Sequence, residues 1–181
     1  FHVDDNEATS FVALQKGKSM SPRNASFTTL EVLYEFVCLV FEHVIKVSLD
    51  NERSLKVELE EFKTSRPDED KIDEYFQQMS NIWDAISNCF PEFSSENYGN
   101  ARDPNKKETA NLLFTPFGQD ILAHLIKHRT KSLDFTNIIK TSEIIERISI
   151  LKDLPWKMRE LPWEKVVTQL TVDDQKNEVW R

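Results

Sequence analysis

Eight apolar residues constrain this chain most. Ile72, Tyr75, Phe76, Met79, Ile82, Trp83, Ile86 and Phe90 keep an i, i+3, i+4, i+7 spacing through about five turns. Residues with that period share one face of an α-helix, whereas a strand would scatter them over both faces of a sheet. Pro67 and Asp68 stand where such a helix starts, and Pro91 stands where it must stop, because a proline lacks the amide donor that the ladder needs. Any fold of this chain has to bury one face of a helix over 68–90.

A second helix follows from "LEVLYEFVCLVFEHVIKV", Leu30 to Val47. At 100° per residue Glu31, Glu35, Glu42 and Lys46 fall within an arc of roughly 60°, and apolar side chains take most of the remainder. This predicts a central helix surrounded on nearly every side, capped by Ser26 or Thr28. The segment has the length of a membrane span, but hydrocarbon would penalise its four charged residues, so a buried helix of a protein that does not enter the membrane is expected. The first twenty residues are polar and mixed in charge, unlike a secretory signal. A start at Phe1 rather than Met suggests a piece of a longer protein.

Thr115 followed by Pro116 opens another helix, the threonine capping and the proline filling a first-turn position that needs no amide hydrogen. It is expected to reach about His128 with Phe117, Ile121, Leu122 and Leu125 inward. Ser132 or Asp134 can cap "FTNIIKTSEIIERISIL", which Thr141 and Ser142 can split in two. In "DLPWKMRELPWEKVV" the tripeptide Leu-Pro-Trp occurs twice. The first copy is read as ending a helix and the second as opening one, with Trp163 mostly buried and Trp156 the more exposed. Thr171-Val172 and Val179-Trp180 flank a polar centre and predict a small hairpin. The chain is thus read as all-α or mainly α. Residues 1–25 form an extended or partly disordered lead-in, and 26–181 form a single multi-helix globular domain with a central buried helix.

The chemistry of sites narrows the function classes mainly by exclusion. Gly17, Gly99 and Gly118 are the only glycines of 181 residues, and no two are close, so a glycine-rich phosphate loop is excluded. No serine elbow or kinase signature is present. Cys38 and Cys89 each lie in apolar helical patterns and read as buried free thiols of a reducing cytoplasm. His124 and His128 have metal-ligand spacing, but no third ligand is marked and no metal or cofactor is expected. Nothing marks a catalytic carboxylate in the acidic run, so the chain is not read as an enzyme.

Net charge is −8, and the segment Asp50–Glu74 supplies −5 of it, which disfavours general affinity for nucleic acid. Against this background "ILAHLIKHRTK" carries Lys127, Arg129 and Lys131 with no acid, a candidate basic patch. The polar stretch Glu92–Thr109, which includes Arg102, is long enough to be a functional or mobile loop.

Leu112, Leu113, Phe114, Pro116, Gly118 and Gln119, followed later by Pro162 and Trp163, resemble the C-terminal portion of the DGQHR-domain family. Its best-known branch is DndB of bacterial DNA phosphorothioation systems. In that family a Leu-Leu-Phe-x-Pro-x-Gly element opens a helix after a polar, arginine-containing loop, so Arg102 matches the loop arginine. "NASFTTLEVLYEF" resembles the segment leading into the family's first long C-terminal helix, which extends the likeness from about Ser19 to the end. Thr115 stands where an arginine is frequent, Asn111 replaces a small residue or histidine, and the Asp-Gly-Gln-His-Arg signature is absent. The resemblance implies a helical, non-enzymatic part of a cytoplasmic regulator in bacterial DNA modification and phage defence. The charge pattern, rather than the resemblance, supplies the candidate contacts: Arg102, Lys127, Arg129 and Lys131 would meet duplex DNA. The alternative is a protein-interaction or oligomerisation domain without DNA contact, binding other DNA-modification proteins or itself through Asp50–Glu74 or exposed apolar helix faces.

Overall fold

The computed structural model describes residues 12–14, 17–21, 24, 26–47, 57, 60–61, 64–65, 69–94, 98–103, 106, 108–133 and 137–163. They are mainly helical. In chain order the helices are α1 (Leu30–Val47), α2 (Glu69–Cys89), α3 (Tyr98–Arg102), α4 (Pro116–Thr130) and α5 (Thr141–Ile148). Tighter 3-10 turns occupy Pro91–Ser94, Leu112–Phe114 and Ser149–Asp153. Strands β1 (Val12–Ala13) and β2 (Thr28–Thr29) form a parallel pair with Val12 opposite Thr28, so part of the lead-in is tied to the residues that precede α1. The hairpin expected near the C-terminus lies outside the described residues. No helix among the described residues is long and apolar enough to cross a membrane.

Contacts divide the chain into two compact units, each assembled from segments distant in sequence: residues 1–33, 95–120 and 153–181, and residues 34–94 with 121–152. In the second unit α2 packs on α5. The stripe that demanded a helix is buried along its C-terminal half, where Ile82, Ala85, Ile86, Cys89 and Phe90 are all sealed, whereas Phe76 stays 55% exposed. Trp83 stacks on Phe93 (centroids 6.2 Å apart) and meets Phe36 edge-on (6.3 Å), so the turn after Pro91 folds an aromatic ring back onto the helix that the proline ended. Gln78, buried within the stripe, accepts a hydrogen bond from the Ile139 amide at 2.9 Å. Asn81 donates to the Ile139 carbonyl at 2.8 Å and is itself oriented by Gln77, which donates to its oxygen at 2.9 Å. Two amide side chains of α2 therefore satisfy both backbone groups of Ile139, as a neighbouring strand would.

The sequence expectation for α1 needs correction on two points. Its cap is Thr29, whose hydroxyl oxygen accepts from the Val32 amide at 3.2 Å, rather than Ser26 or Thr28. Val32, Phe36 and Val40 form a buried stripe, but Leu30 is 53% and Tyr34 49% exposed, so the described side chains bury one side and do not show a helix enclosed all round. Farther on, Val57, Glu60, Glu61 and Thr64 are helical, with the Ser65 amide donating to the Glu61 carbonyl at 2.7 Å, where the sequence shows only weak alternation.

Candidate functional site

The stretch Glu92–Thr109, expected as an open loop, contains α3, whose last residue is Arg102. Arg102 is 4% exposed, which corrects its expected place at a DNA surface. Its guanidinium has five donors and spends all of them on backbone carbonyls of the first unit. Nε donates to Phe114 at 2.9 Å, one terminal nitrogen donates to Ser21 (3.3 Å) and Asn24 (2.9 Å), and the other donates to Ser26 (2.6 Å) and Phe27 (3.1 Å). No carboxylate pairs with it among the described residues. Burial pulls its pKa down, but a guanidinium starts so high that it stays charged near neutrality. The cation is a clasp on Ser21, Asn24, Ser26 and Phe27, with no donor left for a phosphate.

The Leu-Leu-Phe-Thr-Pro-Phe-Gly element forms the other half of that clasp. Asn111 caps the 3-10 turn by accepting from the Leu113 amide at 2.9 Å, and Leu112, Leu113 and Phe114 are buried. Thr115 opens α4 as expected: its hydroxyl oxygen accepts from Gly118 N at 3.1 Å and its O–H donates to the Leu112 carbonyl at 2.8 Å. That carbonyl lies so close to Gly118 that a Cβ there would overlap it, which is why the motif needs glycine at this position. Gln119, 5% exposed, donates to the carbonyls of Phe27 (3.3 Å) and Leu113 (3.1 Å) and accepts from the Thr28 hydroxyl at 2.7 Å. Phe27, Tyr98 and Phe114 meet as a triangle of rings with centroids 5.6–5.7 Å apart. Phe114 and Gln119 of the motif, together with Arg102, thus meet around residues 26–28 as one buried cluster.

The two tryptophans reverse the order of exposure expected of them, Trp156 being the more buried. Trp156 is 6% exposed because its segment pairs antiparallel with Ala110–Leu112: the Leu112 amide donates to the Trp156 carbonyl (2.8 Å) and the Met158 amide to the Ala110 carbonyl (3.1 Å). Trp163, after a cis Leu161–Pro162 bond, is partly exposed and meets Phe117 edge-on at 6.4 Å. Phe117, expected inward, is 47% exposed, while Leu122, Ala123, Ile126 and Thr130 line the buried side of α4.

The structure does not bring Lys127, Arg129 and Lys131 together as one patch. On a helix, residues two apart project about 200° from each other, so Lys127 and Arg129 face different neighbours. Lys127 Nζ pairs with Glu42 on α1 at 2.9 Å. Arg129 lies on the other side, where its Nε donates to the Arg147 carbonyl of α5 at 3.0 Å. Lys131 follows the last turn of α4. Arg129, Lys131 and Arg147 are exposed and make no ion pair among the described residues. Arg147 was not singled out in the sequence, and it is exposed at the flank of the inward face that Ile144 and Ile148 form on α5. No group of three or more metal-ligating side chains occurs among the described residues.

Compared with protein-family models, curated proteins and solved structures, the chain matches none.

Proposed function

We propose that this chain is the helical portion of a DndB-like regulator associated with DNA modification, and that it contributes to DNA contact through Arg129, Lys131 and Arg147. The observation that carries the reading is the hydrogen bond from Arg129 to the Arg147 backbone. It sets the Arg129 guanidinium against the backbone of Arg147 on a neighbouring helix, and both residues are exposed and pair with no carboxylate among the described residues. Exposed guanidinium and ammonium groups of this kind position a protein on phosphates without reading sequence. Three cations account for a slope of about 2 to 3 in log affinity against log salt. Fluorescence anisotropy with duplex DNA across a salt series tests this. The triple variant R129A/K131A/R147A is expected to lose most of that slope, and binding that is absent or unchanged by the substitutions refutes the reading.

A second reading, a protein-interaction domain, is favoured by exposed apolar side chains of the second unit, among them Phe76 (55%), Ile138 (48%) and Ile150 (56%). Light scattering and capture of the other DNA-modification proteins test it. A monomer that captures none of them excludes it.

A further inference from the structure

Arg129 is exposed, yet one of its donors is already committed, because Nε donates to the Arg147 carbonyl at 3.0 Å. Arg147 stands in the last turn of α5, where carbonyls run out of amide partners within their own helix and a cation is favoured. A guanidinium is flat and its five N–H bonds point in fixed directions, so fixing Nε also fixes where the two terminal nitrogens point. One hydrogen from each terminal nitrogen forms the end edge of the fork, which is turned away from the carbonyl that Nε meets. Neither terminal nitrogen bonds to any group among the described residues. Glu143 and Glu146 are exposed on the same helix as Arg147, but neither pairs with Arg129. The side chains of Lys131 and Arg147 have no comparable bond to hold them among the described residues.

We propose that Arg129 is a phosphate fork, its end edge held ready to take both non-bridging oxygens of one phosphate group, here a backbone phosphate of duplex DNA. The Arg147 carbonyl is the positioning element, and the Lys131 and Arg147 side chains add charge without fixed geometry. The inference rests on the reading of DNA contact above and assigns the roles within it. A long side chain loses rotamer freedom when it orders on a phosphate, and the bond to Arg147 has removed part of that freedom beforehand. Lysine supplies the same charge as a point and cannot present two parallel donors to one phosphate. Exchange of arginine for lysine should therefore be felt at position 129 and hardly at 147.

Fluorescence anisotropy of the full chain with duplex DNA, run for R129K, R147K and K131R across a salt series, tests this. Every variant keeps the charge, so the lines of log affinity against log salt should stay parallel. R129K is expected to bind about tenfold more weakly than the wild type at every salt concentration, the loss of one charge-assisted bond of a bidentate pair. R147K and K131R should stay within about twofold of the wild type. R129K that binds like the wild type, or R147K as weak as R129K, overturns the fork and leaves the DNA reading in place. A second arm follows the assigned Arg129 Nε resonance of the wild type by nitrogen-15 NMR during titration with inorganic phosphate, which needs no folded variant. A saturating shift there is expected, and its absence overturns the fork. A saturating shift in a chain that binds no duplex keeps the fork and refutes the DNA reading alone.

Discussion

Replacing Arg102 by lysine separates the geometry of the clasp from its charge. Lysine has three donors on one nitrogen, whereas the five carbonyls of Ser21, Asn24, Ser26, Phe27 and Phe114 are held by a flat fork. At least two carbonyls then lose their partner, at about 1–3 kcal/mol for each buried acceptor left unsatisfied. Ser21 and Phe27 lose least, since the Asn24 amide (3.0 Å) and Gln119 Nε2 (3.3 Å) still reach them. R102K should therefore destabilise by about 2–4 kcal/mol, a large part of the roughly 5–15 kcal/mol that holds a domain together. R102M, with no donor at all, should be at least as damaging. Urea unfolding reads this as a midpoint lowered by about 1–2 M at an ordinary slope, and hydrogen exchange should rise first at residues 24–29. If R102K stays within about 0.5 kcal/mol of wild type with exchange unchanged there, water reaches the carbonyls and the clasp does not hold the segment.

Other substitutions test neighbouring features. Alanine at Gly118 would normally help a helix by about 1 kcal/mol, but the overlap of its Cβ with the Leu112 carbonyl predicts the opposite sign, a loss of about 3 kcal/mol in thermal unfolding; a more stable G118A would show that the close approach is wrong. Trp156→Ala should cost about 3–5 kcal/mol and Trp163→Ala clearly less, because only the first is sealed in the core; the reverse order in chemical unfolding would contradict their burial. Burial pushes the Cys89 thiol up, against a smaller opposing pull from Lys152, so the folded chain keeps this proton longer than the unfolded one. The resulting stability is complete below about pH 8.5 and is lost as pH rises through the folded value. C89A should flatten that alkaline decline in urea midpoints, and an equally steep decline would remove Cys89 as its cause.

Local rules read much of this fold. Thr115, Pro116 and Pro91 act on residues one turn away, so α4 begins and α2 ends where their chemistry dictates. Partners far along the chain decided the rest. A charged residue in a polar stretch is ordinarily exposed, and only the carbonyls of residues 21–27, more than seventy positions away, make a buried Arg102 tolerable. Trp156 and Trp163 look alike locally, and pairing with Ala110–Leu112 selects which one is enclosed. Thr29 displaced two equally good caps by the same kind of choice. The separation of Lys127 from Arg129, by contrast, was readable from helical phase alone.

Ile139, gripped through both backbone groups by Gln78 and Asn81, acts as an index mark between α2 and α5. The rotational phase of α5 is set there rather than by the span that leads to it. A residue added before the mark, between Asn137 and Ile138, would be taken up ahead of it, leaving Ile144 and Ile148 facing inward. One residue inserted between Ile139 and Thr141 would turn α5 by about 100° and swing both isoleucines toward water. Length variation should therefore be accepted on one side of Ile139 and refused on the other.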